Sequence, residues 1–128
     1  MADTAAPEFF SPYSHDFLRL GVCVPALRPA DVRFNADQTL DLIHQGHKAG
    51  AAILLFPELG LSAYAIDDLL LQQALLDAVE QELGRLTEAT EGLNPVVVVG
   101  APLRFKGGLY NCAVALHDGR ILGAVPKA

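Results

Sequence analysis

The sequence predicts an α/β fold with helices stacked on one face of a sheet, and three features carry that reading. Ala51 to Phe56 and Val96 to Gly100 are short, continuous apolar runs, the pattern of strands buried on both faces. The segments between strands place apolar residues every three to four positions, which is helical spacing. Near the end, His117-Asp118-Gly119 separates two apolar runs, and Asp-Gly there is a strong hairpin signal because glycine accepts the positive φ of a tight turn. Strand, helix, strand, helix, strand, hairpin is the order of a layered α/β domain.

Taken in order, residues 1–15 hold Pro7, Ser11, Pro12 and Ser14 without periodicity and read as an irregular arm whose Phe9, Phe10 and Tyr13 dock on a neighbouring surface. Phe17 to Val24 alternates as a strand, with a fully aliphatic face of Leu18, Leu20, Val22 and Val24, and Pro25 ends it. Asn35 is the expected N-cap of the next helix, with Gln38 three residues on, Leu40, Ile43 and His47 at helical spacing, and Gly50 closing it. Ala51 to Phe56 is the second strand, stopped by Pro57. From Asp67 or Asp68 to about Thr90, the series Leu71, Leu75, Leu76, Val79, Leu83, Leu86 marks a second helix. Asn94-Pro95 precedes the third strand, and Leu109 to Leu116 with Arg120 to Val125 form the hairpin. The division expected is an arm over 1–15 and one incomplete domain over 16–128, because the sequence breaks off at Ala128 just after an apolar strand.

A chain of 128 residues is one domain at most, and a domain of that size buries roughly two thirds of its unfolded surface. Half of the residues are apolar and 19% are charged. No apolar run reaches the ~20 residues of a membrane-spanning helix, so a membrane is not expected as a partner. The formal charge of −6 with scattered basic residues argues against nucleic acid as well. Met1 to Pro7 lacks a basic flank and apolar stretch, so a cytoplasmic, reducing compartment is expected. Two cysteines, Cys23 and Cys112, make no disulfide framework and sit in apolar runs, as inert core thiols do.

Two residues stand where chemistry is done. Glu58, in Phe56-Pro57-Glu58-Leu59-Gly60-Leu61-Ser62-Ala63-Tyr64, follows the C-terminal end of a buried strand, where open α/β folds place their sites. Enclosure by Phe56, Pro57, Leu59 and Leu61 would strip its hydration and raise its pKa toward the range useful for proton transfer; an exposed turn carboxylate is the plain alternative. Lys127, after Val125-Pro126, is either a solvated lysine or an ammonium placed to stabilise a tetrahedral anion. His44 and His47 lie three apart on one helix without an evident third ligand, while His15 and His117 fall in the arm and the hairpin turn, so no metal is expected. Gly107-Gly108 lacks the strand, turn and helix order of a phosphate loop and reads as a turn.

Phe56-Pro57-Glu58 and Gly123-Ala124-Val125-Pro126-Lys127 resemble the Glu and Lys motifs of the carbon-nitrogen hydrolase (nitrilase) superfamily, whose catalytic set is Glu, Lys and Cys. The stretch from Phe56 to Tyr64 through Asp67-Asp68-Leu69-Leu70, with Val98 to Pro102 and Tyr110 to Val114, most resembles the glutaminase domain of glutamine-dependent NAD synthetases. The resemblance runs from about Tyr13 to Lys127, and Ala63 stands where the family usually has glycine. It implies a nitrilase-like αββα sandwich, a mixed sheet covered by helices, of which this chain is a truncated part.

The activity implied is hydrolysis of the side-chain amide of glutamine, with Glu58 as general base and acid and Lys127 holding the anion. The nucleophilic Cys belongs on a later segment that is not in this chain, since Cys23 and Cys112 sit in core runs rather than in an electropositive, partly open surrounding. Tyr64 resembles a position near the glutamine pocket, or is an aromatic packed under the loop. The parent protein is then expected to deliver ammonia to a separate domain that uses ATP and Mg2+ to amidate deamido-NAD, and to be a homo-oligomer. Rival readings are another amidase of the superfamily and a non-enzymatic interaction module.

Overall fold

The computed structural model describes residues 8–128. The part of the arm before Glu8, Pro7 included, lies outside the described residues. One five-stranded sheet, in the spatial order β1-β2-β3-β4-β5, organises the molecule. The strands are β1 (Leu20–Val22), β2 (Ile53–Leu55), β3 (Val96–Phe105), β4 (Gly108–His117) and β5 (Arg120–Pro126). β1, β2 and β3 run parallel, whereas β3, β4 and β5 are antiparallel neighbours. Helix α1 (Val32–Lys48) connects β1 to β2, and α2 (Gln73–Ala89) connects β2 to β3.

This topology puts both helices on one face. Crossovers between parallel strands are right-handed, and the two here step in the same direction across the sheet, so α1 and α2 land side by side. Beneath them Leu54, Val97, Val99, Ala101, Val114 and Leu116 form the sheet side of the core, against Ala36, Ile43, Val79, Leu83 and Leu86 from the helices. Gly46 on α1 lets the helix settle onto β2, since a Cβ there would lie 2.5 Å from the Leu54 methyls. Among the described residues the opposite sheet face has no helix. It carries Leu20, Val22, Ile53 and Leu55, which remain 37–79% exposed. A mixed sheet with helices on one face is one α layer and one β layer of the expected αββα arrangement.

Several elements depart from the sequence reading, each for a local reason. The first strand pairs only over Leu20–Val22, shorter than the alternating run, and its aliphatic face, whose side the sequence leaves open, points to the open side: Leu18 is 66% exposed and Val24 80%, while Cys23 is half-buried on the other side. The N-cap of α1 is Asp31, whose carboxylate accepts from the Phe34 N–H at 3.1 Å. Asn35 lies inside the helix, fully buried. Its carboxamide is consumed elsewhere, accepting from Arg28 N–H and donating to the Arg28 and Leu61 carbonyls. The second helix begins at Gln73, because Asp67 has φ 41° and Gln72 is extended. Asp67–Leu71 is instead a separate 3-10 turn, and Leu71 is 76% exposed.

β3 continues five residues past Gly100, through Pro102. Pro102 is opposite Asn111, whose own backbone oxygen accepts from Lys127 on the far side. In an antiparallel ladder that leaves the Pro102 nitrogen pointing away from β4, where no donor is needed. The hairpin turns use paired positive φ values, at Lys106 and Gly107 and at Asp118 and Gly119. The arm is less irregular than expected, with 3-10 turns at Glu8–Phe10 and Pro12–His15. Of its aromatics only Tyr13 docks, donating to the Gly50 carbonyl at the end of α1; Phe9 and Phe10 are over 70% exposed and meet each other edge to face.

Candidate active site

Glu58 is positioned by the turn that follows β2. Pro57 ends the strand, Gly60 N–H and Leu61 N–H then bond to the Pro57 and Gly100 carbonyls, and Ser62 N–H returns to Leu59. Leu59 takes φ 52° and Ala63 φ 66°, so the chain coils tightly on either side of Leu61. The Asn35 carboxamide holds the Leu61 carbonyl from below at 3.1 Å. Close approach to β3 requires Gly100, because a Cβ there would stand 2.4 Å from Leu59 N and 2.5 Å from the Pro57 carbonyl oxygen. With Phe56 and Leu61 turned into the core, Glu58 faces the open side of the sheet.

Lys127 follows the end of β5, and its Nζ donates to Glu58 Oε1 at 2.8 Å. Asn111, in β4, donates from Nδ2 to the same Oε1 at 2.5 Å. The three side chains line a cleft of about 340 Å³ whose remaining walls include Leu55, Pro57, Val98, Ala113 and Val125. Of the two readings of Glu58, the structure shows the exposed carboxylate: its side chain keeps 41% exposure and that of Lys127 keeps 62%. The upward pKa shift that enclosure would bring is accordingly reversed. The Lys127 and Asn111 hydrogen bonds hold the Glu58 carboxyl below its ordinary range, outweighing desolvation, while the Glu58 carboxylate holds the Lys127 ammonium above its own. Glu58 at neutral pH is thus an ionised acceptor, and Lys127 a cationic donor.

Tyr64 stands beyond the same turn, 66% exposed; it is not packed under the loop. Cys112 neighbours Asn111, but the pleat sends its side chain to the other face, where it is buried, its thiol is pushed up by desolvation and Sγ reaches the Tyr110 carbonyl at 3.7 Å. Cys23 is also pushed up by burial. His47 Nδ1 accepts from Asn94 N–H, and His117 contacts the Pro95 carbonyl, so both meet backbone groups. Lys106-Gly107 is the β3–β4 turn and Gly108 opens β4.

Sequence reasoning gave no site role to Asn111 or Gly100, and it read Asn35 as a helix cap rather than as the support of the Leu61 carbonyl. The available signal for Asn111 is a lone amide inside an otherwise apolar strand run, Tyr110 to Leu116.

The mixed sheet, parallel up to β3 and antiparallel beyond it, brings a carboxylate and an ammonium together at one end. Residues 19–127 match the family model described as carbon-nitrogen hydrolase, and the chain belongs to that family. Within it, the chain is 48% identical over 120 residues to the glutamine-dependent NAD(+) synthetase of Mycobacterium tuberculosis and 43% identical over 121 residues to that of Mycobacterium leprae. In both comparisons 94% of this chain is covered, and the chain spans 18% of the length of those curated relatives. The crystal structure of the glutamine-dependent NAD(+) synthetase from Cytophaga hutchinsonii superposes with a TM-score of 0.80 at 26% identity, over 86% of this chain and 19% of that one. An amidase of the nitrilase superfamily from Nesterenkonia AN1 superposes with a TM-score of 0.75 at 22% identity, over 86% of this chain and 42% of that one, a likeness of fold.

Proposed function

We propose that this chain is the segment of a glutamine-hydrolysing NAD synthetase that supplies the proton-transfer carboxylate and the anion-binding lysine of its glutaminase site. The observation that carries the reading is the single oxygen of Glu58 accepting from Lys127 at 2.8 Å. It joins two motif residues 69 positions apart. In the reaction, a Cys thiol from outside this chain attacks the glutamine side-chain carbonyl carbon, and Glu58 takes the thiol proton. Lys127 turns its ammonium to the oxygen that becomes negative. Collapse breaks the C–N bond, Glu58 returns the proton to the departing ammonia, and water activated by Glu58 releases glutamate from the thioester. Tyr64, exposed beyond the turn that carries Glu58, is assigned to contact the glutamine. Released ammonia serves the amidation of deamido-NAD in an ATP- and Mg2+-dependent domain. No step of that amidation is assigned to this chain, whose Gly107-Gly108 segment is a hairpin rather than a phosphate cradle. The parent is proposed to act in the cytoplasm as a homo-oligomer.

The test is a chimera in which residues 8–127 replace the matching segment of the Mycobacterium tuberculosis synthetase. It is expected to form NAD from either glutamine or ammonia. Glu58→Gln and Lys127→Met should each lower the glutamine-driven rate by about a hundredfold or more and leave the ammonia-driven rate unchanged. The 128-residue chain alone should release no ammonia from glutamine. A folded chimera that uses ammonia but not glutamine, or variants that keep the glutamine rate, would overturn the reading.

A further inference from the structure

Glu58 and Lys127 sit on elements that are not neighbours in the sheet: the turn after β2 and the end of β5, with β3 and β4 lying between. β5 is exposed along its whole length, and lysine has a long, freely rotating stem. Nothing in either element alone fixes the carboxylate against the ammonium. β4 supplies the connection through one residue. The Asn111 carbonyl accepts from Lys127 N–H at 2.7 Å, pinning the backbone that carries the lysine. The Asn111 carboxamide donates to Glu58 Oε1, pinning the carboxylate.

We propose that Asn111 is the positioning residue of this site, holding Glu58 in place as a proton acceptor while Lys127 leaves it to meet the substrate oxygen. The inference rests on the glutaminase reading for its consequence, though not for its geometry. In the reaction just described the Lys127 ammonium has two acceptors in succession, Glu58 at rest and the developing oxyanion later. A carboxylate whose only partner departs is free to rotate. A second donor that is uncharged and fixed to a central strand keeps it aimed without competing for the oxyanion.

Asparagine suits that place by its chemistry. Aspartate offers no donor and adds like charge, leucine has neither donor nor acceptor, and glutamine is a methylene too long for the same register. The residue opposite is Pro102, whose ring provides no competing hydrogen-bonding group. The Asn111 bond is also the second-largest cause of the lowered Glu58 pKa, after the Lys127 bond. Lys127 is the charged group on Glu58, and Tyr64 bears on Lys127 in turn.

Titration of the Glu58 carboxyl in the 128-residue chain, followed by carbon-13 NMR, tests the geometry without substrate or nucleophile. Asn111→Leu should move the Glu58 midpoint upward, toward an ordinary carboxyl, and Asn111→Asp, nearly isosteric, should move it further. Amide spectra report whether each variant keeps its fold, and Asn111→Asp serves if Asn111→Leu does not. A Glu58 midpoint unmoved in the folded variants would overturn the proposal.

The chimera then reads the consequence. Asn111→Leu should lower kcat for glutamine by about tenfold to a hundredfold with little change in KM, the size of a lost hydrogen bond to a charge. The acid limb of its pH–rate profile should move upward, because Glu58 must be ionised to act and is now protonated at higher pH. A lower kcat with an unmoved acid limb would reduce Asn111 to a merely structural residue and overturn the positioning role. If the unsubstituted chimera does not hydrolyse glutamine, the functional reading fails while the NMR titration still decides what Asn111 does to Glu58.

Discussion

Glu58 owes its place less to its own side chain than to a residue that has none. Gly100 is where β3 and the turn after β2 come into backbone contact, with Leu59 N 2.4 Å from the position a Cβ would take. A methyl group cannot fit against main-chain atoms, which have no rotamer to change, so the turn must lift or β3 must bow. Gly100→Ala is therefore expected to lower stability by about 2–3 kcal/mol in urea unfolding, at the upper end of ordinary overpacking. A change within about 0.5 kcal/mol, the size of a neutral surface substitution, would contradict this contact. Ala63 presents the opposite situation. It holds φ 66° with a Cβ, and so keeps a left-handed backbone that glycine adopts freely.

At the scale of elements, the two helices are joined on their outer side by charge rather than by apolar surface. Glu82 of α2 has a side chain only 7% exposed and accepts from Arg85 Nε at 2.6 Å and from Arg33 Nη1 of α1 at 3.2 Å. Arg85 also reaches Asp37 of α1 at 2.6 Å, closing a four-residue network across the pair. A buried carboxylate with two guanidinium partners is satisfied, but its removal leaves Arg85 with a single partner in a half-dry place. Glu82→Ala is expected to cost about 1–3 kcal/mol, below the figure for a fully buried pair because Arg33 is 64% exposed. Urea unfolding with and without high salt checks it, and a cost under about 0.5 kcal/mol would show that the α1–α2 contact rests on the core leucines alone.

For the whole molecule the decisive feature is the asymmetry of the sheet. Helices cover one face because both parallel crossovers step the same way; the other is left with Leu20, Val22, Ile53 and Leu55 at the surface and the Glu58–Lys127 cleft at its end. Apolar area of this kind contributes nothing to stability while it stays wet. Leu20→Thr with Val22→Thr, which keeps strand-compatible side chains, should change unfolding free energy by less than about 0.5 kcal/mol per site. The same pair should reduce binding of a hydrophobic dye such as ANS. Unaltered dye binding together with a large loss of stability would mean that these side chains are already covered in the isolated chain.

The sequence by itself determined the order and type of the main strands and helices, because period, proline, glycine and the Asp-Gly turn act over a few residues, but not the start of the second helix or the length of the third strand. It also marked Glu58 and Lys127, since each stands in a short recognisable motif at a strand end. Only the tertiary structure decided that the aliphatic side of the first strand faces outward, because an alternating pattern separates two faces without saying which is covered. It likewise decided the work of Asn111, Gly100 and Asn35. Their partners lie across the sheet or in another loop, as far as 53 residues away for Asn111 and Glu58, and strand register and backbone approach over such distances leave no local trace.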